Sequence, residues 1–235
     1  MIYLNKRLHQ NDPKYQAAAT HPGPVICISR EVGCGGVNFA RLLAAELDKH
    51  SGYHKWKVIS KEILTESARE LNMERDRLRN IIKEGDRSVF DEILSAFSEK
   101  RFKSDRKIGK TLHDLIRSFA TDGYCIIVVR AGHIFTNDIE KSLLIKLTAS
   151  SDWRTKQIMD KNNLNLREAM EFIDQTEKER QNFRKYFADF SHQEDEFDLT
   201  INISRIDIGH AIELIRFAAQ NKGLLETTKS KVEVF

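Results

Sequence analysis

The stretch from Pro24 to Leu47 constrains the fold more than any other part of the chain. An apolar run, Val25-Ile26-Cys27-Ile28, leads into a glycine cluster, Gly33-Cys34-Gly35-Gly36, and Phe39, Leu42, Leu43 and Leu47 then recur at helical spacing. A short apolar run that ends in glycines reads as a fully buried strand, and the periodic residues after it read as a helix. A strand that turns directly into a helix opens a parallel α/β unit, because parallel strands need long crossovers.

The rest of the chain repeats the alternation. Trp56 to Ile59, Tyr124 to Val129, Leu143 to Leu147 and Leu199 to Ile203 read as further buried strands. Helical patterns cover about 61–71, 111–121, 152–186 (one helix or two) and 207–219. Between them, 74–104 is charge-rich, with apolar stripes at Leu78, Ile81 and Ile82 and at Phe90, Ile93, Leu94 and Phe97, and it reads as a helical insertion. The expected fold is α/β, with a mainly parallel sheet of about five strands and helices on both faces. We divide the chain into a polar N-terminal arm (1–23), one domain (24–222) and a C-terminal tail (223–235).

Composition narrows the function classes. Charged residues make up 31% of the chain but nearly cancel, to +3, so the net balance indicates no polyanion-binding surface and gives no support to nucleic acid as a partner. Cys27, Cys34 and Cys125 are odd in number and partly embedded in apolar runs, which fits free thiols in a reducing, cytoplasmic compartment. No segment approaches the roughly 20 consecutive apolar residues of a spanning helix, so a soluble protein is expected.

Ligands of open α/β sheets bind at the carboxyl ends of the strands. Gly33 to Gly36, Ser60-Lys61, Arg130 and Thr148-Ala149-Ser150 all fall there. A glycine loop that opens a helix suits an anion, since the small residues let the backbone approach and the first amides point outward. The plain alternative is a tight turn with no ligand. A dinucleotide site fits less well: its third glycine would fall at Asn38, and Ser60-Lys61 replaces its acidic ribose ligand.

A second constellation is Asp174, Glu177 and Arg180, spaced three apart along a helix, with Arg154 on the helix before it. Residues at that spacing share an edge. It is either a solvated charged face or a source of cations for phosphate. Arg130, at the mouth of the most apolar strand, either forks onto a carboxylate or phosphate or pairs within the strand end. Cys34 is a small filler or, if the helix start lowers its pKa, a reactive thiol. The histidines show no close-spaced metal pattern, so no metal ligand is assigned.

Taken in order, these segments resemble the cytidylate kinase family, and its cytidylate-kinase-like branch in particular, over roughly residues 24–219. Ile26 to Gly36 is similar to that branch's altered phosphate loop, and Val128-Val129-Arg130-Ala131-Gly132 to its glycine-arginine turn. Leu147 to Ser150 with Arg154 is similar to the start of the lid, expected over 150–190, and Asp174, Glu177 and Arg180 to its acidic, acidic, arginine helix. Phe197 to Asn202 resembles the last strand, with Asp198 just before the apolar run.

The resemblance implies a three-layer α/β/α P-loop kinase fold with helical insertions, and transfer of a phosphoryl group from magnesium-ATP to a nucleoside monophosphate, cytidylate by analogy. Arg130, Arg154 and Arg180 would serve catalysis; Arg30, Gly33, Cys34, Gly35, Gly36, Val37 and Asn38 would hold the donor; Ser60, Lys61, Asp174 and Glu177 are further candidates. The chain departs from the ordinary loop at both ends. Arg30 stands in place of the first glycine, and Gly36 and Val37 stand where lysine and a Ser or Thr are usual. Those departures keep a second reading open: a nucleotide-binding sensor or regulatory protein that has lost transfer. A third reading, an interaction protein with an empty loop, is disfavoured by the arginines gathered around that loop.

Overall fold

The computed structural model describes residues 23–60, 116–117, 119–129, 132–191 and 196–225. The expected arm, the 74–104 insertion, most of the tail, Lys61 and Arg130 lie outside the described residues.

Among the described residues five strands, β1 (Val25–Arg30), β2 (Lys57–Ser60), β3 (Cys125–Val128), β4 (Ser142–Thr148) and β5 (Leu199–Asn202), form one sheet in the order β2-β3-β1-β4-β5. Every pairing is parallel. The five apolar runs of the sequence fall on these five strands, and the inner three, β3, β1 and β4, are buried along most of their length, as parallel strands covered on both faces are. The central strand, β1, pairs along all six residues with β4, from Val25 opposite Ser142 to Arg30 opposite Leu147. Its first four residues are buried, and only Ser29 and Arg30 begin to emerge at the carboxyl end.

Helix α1 (Gly36–Leu47) lays Phe39, Ala40, Leu43, Ala44 and Leu47 on one face of the sheet, against Ile26, Ile28, Ile126, Val128, Ile145 and Leu147. Helix α4 (Ile208–Asn221) adds Ala211, Ile212, Ile215 and Ala219 to the same core. Its first turn is capped by Asp207, which accepts from the Gly209 amide at 2.8 Å. Residues that point to the opposite face, such as Cys27, Ile127 and Leu144, are buried too, so both faces of the sheet are covered.

Helices α2 (Ser151–Asn162) and α3 (Leu166–Ser191) form a hairpin after β4. The charged stretch that read as one helix or two is two, because Asn163 takes a left-handed conformation (φ 54°) and ends α2. Asn165 and Glu168 then cap α3 reciprocally: the Glu168 amide donates to Asn165 Oδ1 (3.0 Å) and the Asn165 amide to Glu168 Oε2 (2.9 Å). Asp198, before β5, accepts from the Leu144 amide (2.7 Å) and pairs with Lys222 (2.7 Å), which ties the start of β4 to the end of α4. No helix among the described residues is long and apolar enough to cross a membrane.

Candidate functional site

Because β1 ends at Arg30 and α1 starts at Gly36, five residues must turn the chain from strand to helix. Two of them are glycines at positive φ, Gly33 at 94° and Gly35 at 60°. The first has a further constraint. A Cβ at Gly33 would stand 2.9 Å from the Arg154 carbonyl oxygen, so the loop passes directly against α2. Gly35 is open, with nothing within 4 Å of its missing Cβ, and serves as the left-handed N-cap of α1.

The α2–α3 hairpin holds this loop through a polar network. The Val32 amide donates to Glu177 Oε1 (2.6 Å), and Arg154 Nη1 donates to the Val32 carbonyl (3.4 Å). Arg154 Nε donates to the Ala149 carbonyl (3.3 Å), while its guanidinium pairs with Glu31 (3.5 Å) and Glu177 (3.8 Å). Glu31 in turn accepts from the Ala149 amide (3.0 Å). Below this network Val32 packs with Ile158, Ala169 and Ile173 of the hairpin. Arg180 Nη1 donates to the Arg30 carbonyl (3.0 Å), which fixes the end of β1 from α3.

A cleft of about 870 Å³ opens between the loop and the hairpin. Of the candidates read from the sequence, Arg30, Gly33, Gly35, Gly36, Val37, Asn38 and Arg180 line it. The other described candidates stand elsewhere. Arg154, expected over the ligand, is 15% exposed and committed to the network at the root of the hairpin. Glu177 is turned to the loop backbone, and Asp174 is exposed to solvent. At 3.6 residues per turn, positions 174, 177 and 180 wind through about 120° of α3, so a shared edge does not survive over three members. Ser60 is buried at the end of β2, its hydroxyl without a hydrogen-bond partner. Cys34 is buried, and that burial, with help from nearby Glu31, pushes its thiol up to about 12, so the filler reading fits and the reactive one does not.

Two cations on the cleft escaped the sequence reading, Arg41 on α1 and Lys161 on α2. With Arg30 and Arg180 they place positive charge on three walls. Phe172 and Thr176 also line the cleft, eight and four residues before Arg180 on α3. That i, i+4, i+8 spacing is present in the sequence, but Phe172 and Thr176 carry no charge to set them apart from an ordinary packed helix face. Among the described residues no group of three or more His, Cys, Asp or Glu side chains is placed to hold a metal ion.

Comparison with known proteins fits this geometry. An uncharacterized protein from Eubacterium ventriosum ATCC 27560 superposes with a TM-score of 0.58 at 18% identity, over 84% of this chain and 98% of that one, a likeness of fold. Shikimate kinase from Bacteroides thetaiotaomicron (TM-score 0.49, 11% identity, 84% of this chain and 98% of that one) superposes more loosely, too loosely to carry an argument. No curated protein sequence matches the chain. The profile of the cytidylate kinase-like family does match, over residues 25–205, which run from the first residue of β1 through the loop, the cleft and the hairpin to the turn after β5. With the loop, the parallel sheet and most of the chain inside that match, the protein belongs to the cytidylate kinase-like family.

Proposed function

We propose that the protein transfers the γ-phosphoryl group of magnesium-ATP to a nucleoside monophosphate, with a cytidylate-like acceptor as the first choice. The observation that carries this reading is the cleft itself: a glycine loop at the N-terminus of α1 on one side, a helical hairpin on the other, and Arg30, Arg41, Lys161 and Arg180 around it. In the transfer, an oxygen of the acceptor phosphate attacks the γ-phosphorus, the bond from that phosphorus to the β-bridging oxygen breaks, and ADP leaves. Such chemistry is driven by positioning and charge neutralisation and asks for no side-chain nucleophile.

Each residue has a part in it. Backbone from Gly33 to Gly36, with Val37 and Asn38, would cradle the donor phosphates at the positive end of α1. Arg180 would act on the phosphates from the hairpin, and Arg154 serves as a positioning residue that keeps loop and hairpin together. Arg130, two residues beyond β3 in the sequence, would orient the acceptor. The hairpin would be the lid that excludes water, which otherwise competes for ATP.

A magnesium ion carried in with ATP would supply charge neutralisation at the donor phosphates. The residues present fit an ion held mainly by the nucleotide and water, the common arrangement for magnesium, and Asn38, which lines the cleft from the first turn of α1, would offer it an amide oxygen. The rival reading, a nucleotide sensor without transfer, is favoured by one observation: Gly36 and Val37 carry neither the amine nor the hydroxyl of an ordinary loop.

The test is ADP formation by the purified protein with magnesium-ATP and a panel of nucleoside monophosphates, beside Arg130→Ala and Arg180→Ala. Acceptor-dependent turnover that both substitutions abolish is the expected result. Tight ATP binding with no turnover for any acceptor would overturn the kinase in favour of the sensor.

A further inference from the structure

An ordinary phosphate loop has glycine at its first position and lysine directly after its last glycine. In this chain the side chains are exchanged, with Arg30 at the first place and Gly36 at the second. The two positions meet in space. A Cβ at residue 36 would stand 3.1 Å from Arg30 Cδ, 3.2 Å from its Cγ and 3.4 Å from its Nε. The stem of Arg30 therefore lies across the first turn of α1, in the volume that a side chain at 36 would fill. Gly36 is buried as a result, although it opens a helix that faces the cleft, and both residues line that cleft. The Arg30 backbone is held on both sides, as the last residue of β1 opposite Leu147 and as the acceptor of the Arg180 hydrogen bond (3.0 Å).

From this contact we infer that Arg30 supplies, from the strand side, the cation that the loop lysine supplies elsewhere, and that Gly36 is glycine because Arg30 occupies its place. The inference rests on the reading that the cleft takes a nucleoside triphosphate, and it names how that site grips the β- and γ-phosphates. A guanidinium stays charged at any working pH and offers a planar fork that holds two oxygens at once. A charge anchored on the last residue of a central strand also needs less ordering when ligand arrives than one on a flexible stem. Restoring lysine at 36 alone would drive two cationic stems into one space. Restoring it together with glycine at 30 would rebuild the ordinary arrangement.

The experiment is calorimetric binding of inorganic tripolyphosphate, magnesium-ATP and AMP to the full chain, with thermal melts of each variant and the acceptor panel run in parallel. Arg30→Met keeps the stem over Gly36 and removes the charge. It should lose ~10–100-fold in affinity for tripolyphosphate and ATP, while AMP affinity changes by less than about threefold. Arg30→Gly and Gly36→Lys should each bind tripolyphosphate weakly, and the double exchange Arg30→Gly with Gly36→Lys should recover most of the loss. Tripolyphosphate affinity within about twofold of the parent in Arg30→Met would overturn the assignment, since a charge-assisted contact is worth more than that. If Arg30→Met fails to fold, the double exchange decides: affinity no better than that of Arg30→Gly alone overturns it. Turnover with an Arg30-independent affinity removes Arg30 and keeps the kinase. Arg30-dependent polyphosphate binding with no turnover for any acceptor keeps Arg30 and removes the kinase, and no polyphosphate binding by the parent protein overturns both.

Discussion

Glu177 accepts the Val32 amide at 2.6 Å across 145 positions of sequence, and through that bond α3 seats itself against the loop between β1 and α1. The same carboxylate faces Arg154, so loop, α2 and α3 meet at one point. Glu177→Ala leaves a part-buried amide without its acceptor and should cost about 1–3 kcal/mol of stability in urea denaturation. Glu177→Gln retains a carbonyl oxygen for Val32 and should cost about half as much or less.

Arginine and lysine around the cleft should divide by role. Arg154→Met removes the partner of two carboxylates and two carbonyl oxygens and should lower the melting temperature, with a cost of about 1–3 kcal/mol because its acidic partners are partly solvated. Arg41→Ala and Lys161→Ala lie on exposed faces of the cleft and should leave the melt nearly unchanged. Each should instead weaken ATP binding by about 3–10-fold at low salt, and the difference from the parent should shrink as ionic strength rises.

Gly33 and Gly35 both sit at positive φ, yet substitution should separate them. Gly33→Ala meets the Arg154 carbonyl at 2.9 Å in addition to its backbone strain, and should cost more than about 2 kcal/mol. Gly35→Asn enters open space in a conformation that asparagine tolerates, and should cost about 1 kcal/mol or less. Paired denaturation curves of the two variants check the order.

Thiol titration gives a pH dependence with a definite sign. Burial raises the Cys34 thiol from an ordinary 9.0 to about 12, so above pH 9 the unfolded chain releases a proton that the folded chain keeps. Stability from this group is full below that value and falls as pH rises through it. Cys34→Ala should show a shallower decline in melting temperature between pH 8 and 10 than the parent. Equal slopes would show that Cys34 is not the source.

The sequence by itself determined the parts that depend on local burial. A short run rich in β-branched residues, such as Val25 to Ile28 or Cys125 to Val128, reads as a strand covered on both faces, and the helical patterns between such runs read as its cover, so the parallel α/β class, the strands and the glycine turn were legible. Asn163, a single left-handed residue, had no such signature, and the break between α2 and α3 was left open. Tertiary structure decided which cation meets which partner. Periodicity says that two residues share a helix face, but what stands opposite that face depends on the strand order and on how closely the hairpin meets the loop. Arg154 and Lys161 lie seven residues apart on α2, a spacing of about two turns, yet the first is drawn into the carboxylates of Glu31 and Glu177 while the second reaches the open cleft. Arg30 and Gly36 read as two separate departures from an ordinary loop until folding lays one across the other, because the five residues that turn from strand to helix return the chain to within van der Waals reach of its own start.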